Sequence, residues 1–199
     1  MSTHKVDMVS GEEALEKLIA GNKRYIAAKQ AHPRQTEADR QALSSGQSPF
    51  AIILTCSDSR VPPEIIFDQG LGDLFVIRVA GNIVDDVGLG SIEYAAAHLH
   101  TPLLVVLGHS HCGAVGATVS GADLEGHLPA LAEAIQPAVD QARPEAGDLL
   151  DNAINANARM VADQLRGAEP VLAGLVQTGQ LQVVAARYDL ETGIIEILD

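Results

Sequence analysis

The stretch FAIIL at residues 50–54 decides the fold of this chain, because all five of its residues are apolar. Two further runs are nearly as apolar, LFVIRV at 74–79 and PLLVVL at 102–107. Short continuous runs rich in β-branched residues are typical of strands that are covered on both faces, as in a parallel sheet. We therefore predict three central strands here, with a fourth strand near 181–188 and a fifth near 194–198.

Helical segments separate and follow these runs. We predict them at 88–100, 112–120, 128–142 and 146–166. Strands that alternate with helices are typical of α/β proteins, in which helices cover both faces of the sheet. The turn sequence ETG at 191–193 separates the last two strands. The prediction is a three-layer α/β/α fold with a mostly parallel central β-sheet and an antiparallel edge strand.

Length and composition indicate one soluble domain. The chain has 199 residues, enough for one hydrophobic core but few for two, so we expect a single domain over 1–199. No apolar run reaches the roughly 18 to 20 residues of a membrane span. The N-terminal sequence MSTHKVDMVSGEE lacks an apolar signal-peptide core, which favours a cytoplasmic protein. The formal net charge of −13 argues against nucleic acid as a partner.

An N-terminal helical arm is expected over residues 1–30. Ser10 and Glu13 form a capping-box pattern that opens a helix at 11–29. Its apolar face includes Leu15, Leu18 and Ile19 at helical spacing. A five-strand core offers this face no obvious place, so we predict that the helix packs on a partner subunit.

Both cysteines lie where predicted strands end. Cys56 follows the run at 50–54 by two positions, and His109 and Cys112 follow the run at 102–107. Ligands of such folds bind at the carboxyl ends of the strands. If the two strands are neighbours, two thiolates and one imidazole converge there, which suits zinc better than calcium or magnesium. Three protein ligands leave a fourth position open, as in catalytic zinc sites.

Asp58 and Arg60 share the loop of Cys56 in the sequence CSDSR. A carboxylate so placed could take the fourth zinc position and block it. A bidentate pair with the Arg60 guanidinium would prevent this and leave Asp58 free to orient a zinc-bound hydroxide. Without the flanking Cys56, an ordinary loop salt bridge would be the better interpretation.

Four motifs together resemble the β-class carbonic anhydrases. In chain order they are CSDSRVPPE at 56–64, GDLFVIRVAGN at 72–82, SIEYAAAHL at 91–99 and GHSHCGAV at 108–115. The resemblance implies hydration of carbon dioxide to bicarbonate and a proton, with a zinc-bound hydroxide as the nucleophile. It also implies one Zn2+ per chain and a homodimer, or a dimer-based tetramer or higher assembly.

The family's functional residues fall on specific positions of this sequence. The resemblance implies zinc ligands at Cys56, His109 and Cys112, and a catalytic dyad of Asp58 and Arg60. It further implies that one amide side chain donates a hydrogen bond to the substrate. It also implies an apolar carbon dioxide pocket, to which a partner subunit can contribute residues. The residues matched to these roles are Gln47 for the hydrogen bond, and Phe75 and Ala80 for the pocket.

Three alternatives remain open from the sequence. A carbonyl sulfide or carbon disulfide hydrolase on the same scaffold would keep the same zinc ligands. A catalytically silent zinc-binding protein is less favoured, because Asp58 and Arg60 are both present. A redox dithiol protein is the least favoured, because the cysteines lack a C-x-x-C arrangement.

His111, between two ligands, is expected to turn away from the metal. Asn152, Asn155, Asn157 and Arg159 suggest a polar helix face or a subunit contact, without an assigned function.

Overall fold

Five strands form one sheet in the computed structural model, which describes residues 9–198. The strands are β1 (Ala51–Thr55), β2 (Leu74–Arg78), β3 (Leu103–His109), β4 (Gln182–Tyr188) and β5 (Ile195–Ile197). Their order in the sheet is β2-β1-β3-β4-β5, and only the β4–β5 pair is antiparallel. The predicted mostly parallel sheet with an antiparallel edge strand is confirmed, and every predicted strand lies within two residues of its observed bounds.

Eight α-helices surround this sheet within the described range. They are α1 (Gly11–Ile26), α2 (Glu37–Ala42), α3 (Pro63–Ile66), α4 (Asp86–Glu93), α5 (Gly113–Ser120), α6 (Leu128–Ala142), α7 (Leu149–Arg166) and α8 (Leu172–Gln177). The helix predicted at 88–100 is divided, because a π-helical turn at Tyr94–His98 follows α4. The short helices α2, α3 and α8 were not predicted, since a helix of one or two turns shows little periodicity. None of the helices described is long and apolar enough to cross a lipid bilayer.

The two faces of the sheet carry separate cores. Ile53 of β1 is fully buried in a cluster that includes Leu18 of α1 and Val139 of α6. Its neighbour Ile52 belongs to a second cluster with Ile92 of α4. Successive residues of a strand point to opposite faces, so a continuously apolar strand fills both cores at once. This explains why the central strands are apolar without alternation.

The predicted capping box opens α1. The backbone N–H of Ser10 donates to the Glu13 carboxylate at 2.8 Å, and the N–H of Glu13 donates to the Ser10 hydroxyl at 3.2 Å. The helix ends at Ile26 rather than at 29, and Ala28 has a φ of 52°. A residue with positive φ cannot continue a right-handed helix, so the chain turns away there. Residues 1–8 of the predicted arm lie outside the described residues.

Part of α1 packs on its own chain, which corrects the prediction that its apolar face has no place there. Ala14 and Leu18 are fully buried, and Leu18 lies in the same cluster as Ile53. The Asn22 amide donates to Ile66 O at 3.1 Å and to Gly193 O at 2.8 Å. The prediction failed because this surface is formed by α3 and the β4–β5 turn, which strand patterns alone do not place. Docking of the remaining, partly exposed face on a second subunit stays a prediction.

Candidate metal centre

Cys56, His109 and Cys112 converge at the carboxyl edge of the sheet. Since β1 and β3 are parallel neighbours, the loop after β1 and the last residue of β3 meet at this edge. All three side chains are buried, and their potential ligand atoms lie within 4.8 Å of one another. The sequence predicted this convergence from the position of each residue at a strand end.

The His109 ring has one nitrogen bound and one nitrogen free. Nδ1 lies 2.9 Å from the carbonyl oxygen of Ser110, to which it can donate its proton. Nε2 is buried and has no hydrogen-bond partner in the described part of the chain. In metal-binding histidines, a hydrogen bond from one ring nitrogen fixes the tautomer and leaves the other nitrogen as the ligand. His109 therefore has the form that a metal ligand needs.

The two buried sulfurs interact strongly with each other. The adjacent Cys112 thiol, with smaller contributions from the nearby His109 ring and the N–H of Gly81, lowers the pKa of Cys56 to about 4. The same sulfur–sulfur interaction, together with burial, raises the pKa of Cys112 far above its usual value. The two thiols therefore titrate as a coupled pair, in which loss of the first proton opposes loss of the second. A divalent cation would replace both protons and balance two thiolates.

Asp58 and Arg60 form the predicted bidentate pair. Arg60 Nε lies 2.9 Å from Oδ1 of Asp58, and one terminal guanidinium nitrogen lies 2.7 Å from Oδ2. The Arg60 backbone N–H also donates to Oδ1 at 2.9 Å. These contacts, led by the guanidinium, hold the pKa of Asp58 well below its usual range. The carboxylate is therefore ionised, and its Oδ2 lies 4.0 Å from Nε2 of His109.

Other residues fix the two loops, and the sequence did not assign them this role. Arg78 Nε donates to the carbonyl oxygen of Cys56 at 3.1 Å, and its guanidinium also donates to the carbonyl of Asp58. Ser110 bonds to Tyr188 O through its backbone N–H at 2.9 Å, and its hydroxyl accepts from Leu190 N at 2.8 Å. The charge of Arg78 at the end of an otherwise apolar strand was the available signal for the first of these contacts.

Asn157 is a further residue that sequence reasoning misplaced. It is fully buried, and its amide donates to Gly81 O at 2.8 Å. The interpretation of this residue as part of a polar helix face is therefore wrong. Gly81 in turn donates its N–H to the Cys56 sulfur at 3.3 Å. Only the three-dimensional packing of α7 against the turn after β2 reveals this connection.

Gln47 and Phe75 lie far from the metal cluster of their own chain. Gln47 is exposed and precedes β1, whereas Cys56 follows it, and five strand residues span about 16 Å. Phe75 pairs in register with Ile52, near the amino end of β1. It also packs in the cluster on the other face from Ile53. Neither side chain can therefore contact the cluster within one chain.

Ala80 differs from these two residues because it lies at the carboxyl edge. It is partly buried and directly precedes Gly81, whose N–H contacts the Cys56 sulfur. His111 lies at the same edge, but its side chain is 63% exposed and its Nε2 is 3.9 Å from a Glu191 carboxylate oxygen. The expectation that His111 turns away from the cluster is confirmed.

Comparison with known proteins gives one consistent result. The family model for carbonic anhydrase matches residues 51–195. Carbonic anhydrase 2 of Mycobacterium tuberculosis is 39% identical over 185 residues, which are 90% of this chain and 89% of that protein. The carbonic anhydrase of Pseudomonas aeruginosa is 38% identical over 183 residues, covering 85% of this chain and 81% of the relative.

Solved structures agree with the sequence relatives. The β-carbonic anhydrase CcaA is 29% identical, with a TM-score of 0.74 over 93% of this chain and 95% of its own. A tetrameric β-carbonic anhydrase of the ascomycete Sordaria macrospora is 26% identical, with a TM-score of 0.76 over 94% and 97%. The match to the family model covers well over half of the described residues. On this sequence and structural similarity, the chain belongs to the β-class carbonic anhydrase family and is an enzyme of that class.

Proposed function

We propose that this chain hydrates carbon dioxide reversibly to bicarbonate and a proton, with Cys56, His109 and Cys112 as ligands of a catalytic zinc ion. The observation that carries this proposal is the buried Nε2 of His109, which has no partner yet belongs to one cluster with two sulfurs. A buried nitrogen left unpaired is destabilising, and a metal ion relieves that cost. Two sulfurs and one nitrogen match a zinc site that keeps its fourth position open.

The remaining chemistry is divided between the metal and the dyad. Zinc, when bound, is a Lewis acid that lowers the pKa of water towards about 7 and so supplies a nucleophile at neutral pH. With the metal bound, the ionised Asp58 carboxylate would be placed to accept a hydrogen bond from that nucleophile and orient it. Arg60 holds both carboxylate oxygens at 2.7 and 2.9 Å, so that Asp58 does not move onto the metal. In this proposal Asp58 acts on the nucleophile, whereas Arg60 keeps Asp58 away from the metal.

Ala80 is the pocket residue that the same chain can provide. It is partly buried beside Gly81, the residue that contacts the Cys56 sulfur. A methyl group at this point forms an apolar wall, which suits carbon dioxide because the substrate has no net charge and needs only to be positioned.

A second copy of the chain completes the substrate site in this proposal. Gln47 and Phe75 match family positions that contact substrate, yet they lie at or towards the amino edge of their own sheet. They can serve a metal cluster only if that cluster belongs to another subunit. We therefore propose a homodimer as the smallest active unit, alone or within a larger assembly. The tetrameric relatives from Sordaria macrospora support this direction.

The test of the zinc site uses Cys112→Ser in the full chain, because a hydroxyl is a much poorer zinc ligand than a thiolate. Wild-type protein should contain about one zinc per chain and hydrate carbon dioxide in a stopped-flow pH-indicator assay. Cys112→Ser should lose most of its zinc, and its activity should fall by more than about a hundredfold. This loss is larger than the roughly 10- to 100-fold loss that is common when a residue hydrogen-bonded to a metal ligand is changed. Ser120→Ala, a change of an exposed hydroxyl on α5, is the matched control.

Full zinc content in folded Cys112→Ser would show that the ligand assignment is wrong. The same stopped-flow samples should also be tested with carbonyl sulfide and carbon disulfide. Turnover of either gas above that of carbon dioxide would favour the hydrolase alternative, which keeps the same ligands. Zinc binding without turnover of any of these gases would favour the catalytically silent alternative.

A further inference from the structure

Gly81 occupies a turn that favours glycine. Residues 79–82 form this turn, which is closed by a hydrogen bond of 2.9 Å from Asn82 N to Val79 O. Gly81 has φ 73° and ψ 15°, the conformation that the third residue of a type II turn adopts. A Cβ atom at this position would lie 2.6 Å from Cδ1 of Ile135. The backbone conformation therefore favours glycine, and a larger residue would also require the Ile135 side chain to shift.

Both polar groups of Gly81 point out of the turn towards buried partners. The turn's own hydrogen bond uses neither its N–H nor its carbonyl. The N–H donates to the Cys56 sulfur at 3.3 Å. The carbonyl accepts from Nδ2 of Asn157 at 2.8 Å, across 76 positions of sequence. The turn sets the backbone conformation of Gly81, and these two contacts connect it to Cys56 on one side and to α7 on the other.

We propose that Asn157 is a positioning residue of the metal centre. By holding the Gly81 carbonyl, it keeps the Gly81 N–H directed at the Cys56 sulfur. This inference rests on the proposed function, in which Cys56 is a zinc ligand. Asn157 touches neither the metal nor the substrate and acts through Gly81 alone.

The burial of Asn157 supports this assignment. The side chain is fully buried on α7, and its Oδ1 has no hydrogen-bond partner among the described residues. A buried amide with one unpaired oxygen is less favourable than an apolar side chain of similar size, such as leucine. The hydrogen bond to Gly81 is the one that the side chain makes in the structure. Core packing alone therefore does not explain an asparagine here, whereas a requirement for that bond does.

A hydrogen bond to a metal-binding sulfur has two effects. It orients the ligand, and it withdraws electron density from the sulfur, which then donates less charge to the ion. Outer contacts of this kind commonly change metal affinity by about 10- to 100-fold. Loss of the contact would leave the Cys56 sulfur more electron-rich and less well oriented. Both consequences can be measured without an activity assay.

The experiment replaces zinc with Co2+ in the full chain and records the sulfur-to-cobalt charge-transfer band. Asn157→Leu removes the donor and fills the volume, and Asn157→Ala removes the donor without adding bulk. In both variants the band should move to longer wavelength, because a more electron-rich sulfur is oxidised more easily. The affinity measured by competition with a chelator should fall about tenfold, because the loss of ligand orientation outweighs the stronger donation by the sulfur. Asn152→Leu is the control, since Asn152 lies on the same helix and bonds to Ala146 O at 3.1 Å near the surface.

The band position separates positioning from mere structural support. A folded Asn157→Leu protein with the wild-type band and affinity would overturn the proposal, even if it unfolded at lower urea concentration. If this variant does not fold, Asn157→Ala decides by the same criterion. A wild-type protein that binds Co2+ without any sulfur-to-cobalt band would instead refute the proposed metal site itself.

Discussion

The carboxyl edge of the sheet is fixed by hydrogen bonds within the chain, whereas the amino edge presents groups that the chain itself does not use. At the carboxyl edge, Asp58 is bound by Arg60, and the carbonyl of Cys56 is bound by Arg78. Towards the amino edge, Gln47 is exposed and makes no side-chain hydrogen bond in the described part of the structure. Phe75, which pairs with Ile52 four positions before Cys56, is only partly buried.

This difference is the basis of the proposal that one chain supplies the whole metal cluster, whereas a second chain contributes to the substrate site. Helix α1 shows the same division on a smaller scale. Its Leu18 side is buried in the chain's own core, while Leu15 and Ile19 remain partly exposed. On the proposed function, assembly should therefore affect catalysis more than metal binding.

The largest expected effect concerns the self-contained side of α1. Leu18→Ala should lower the free energy of unfolding by about 3 to 5 kcal/mol, because it leaves a cavity at a fully buried position. Urea unfolding of the zinc-loaded protein measures this change. Ile19→Ala at the adjacent, partly exposed position is the control and should cost less.

Ile19 also tests whether the partly exposed face of α1 docks on a partner subunit. Deleting residues 1–29 would expose the core as well as any partner surface, so it cannot separate the two roles. Ile19→Glu places a charge on the partly exposed face alone. Light scattering should then detect a smaller assembly than the wild type forms. An unchanged assembly would contradict docking of this face on a partner.

The next effect concerns the amino edge. Gln47→Ala should lower carbon dioxide hydration by about tenfold, the equivalent of one hydrogen bond of roughly 1.4 kcal/mol, with zinc content unchanged.

Coexpression of Gln47→Ala chains with Cys112→Ser chains tests whether Gln47 acts across a subunit boundary. A mixed dimer would combine the zinc ligands of one chain with the intact Gln47 of the other.

Activity of the mixed dimer above the sum of the two parent proteins would support a site shared between subunits. Activity equal to that sum would show that Gln47 does not act across a subunit boundary. Both parent proteins are purified and assayed at the same chain concentration, so that differences in assembly do not imitate recovery.

The smallest effect is a pH dependence at the end of the N-terminal arm. Burial alone would raise the pKa of Asp68, but the N–H groups of Ala31 and His32 and the Arg24 guanidinium outweigh it and lower that pKa. A lowered folded-state pKa contributes stability above the unfolded value of about 3.9, and this stability is lost as the pH falls through the folded value. Asn is the matched replacement, because Asp68 has a φ of 48° that asparagine tolerates.

The free energy of unfolding should therefore fall more between pH 6 and pH 3 in the wild type than in Asp68→Asn. Urea titrations of both proteins at each pH give this difference, and effects of acid on other groups cancel between them. Equal losses in the two proteins would show that the Asp68 contacts do not stabilise the arm.

Most of the metal site was predictable because its parts are close in sequence. CSDSR places Cys56 and the Asp58–Arg60 pair within five residues, and His109 and Cys112 are three positions apart. The apolar runs placed both loops at strand ends, and parallel strands bring such ends to one edge. The position of Leu18 was not predictable, because it depends on α3 and the β4–β5 turn, which no local pattern locates.

The sequence by itself indicated the types and approximate bounds of the strands, the strand-end positions of Cys56, His109 and Cys112, and the Asp58–Arg60 pair, since each follows from local periodicity or spacing. The adjacency of β1 and β3, which brings the three residues together, came from the tertiary structure. Only the tertiary structure decided that Asn157 reaches Gly81 and that Gln47 lies away from its own cluster. Contacts such as that of Asn157, 76 positions from Gly81, arise from the packing of helices on a finished sheet. Such packing depends on the combined burial of many side chains, and no single segment of sequence contains that information.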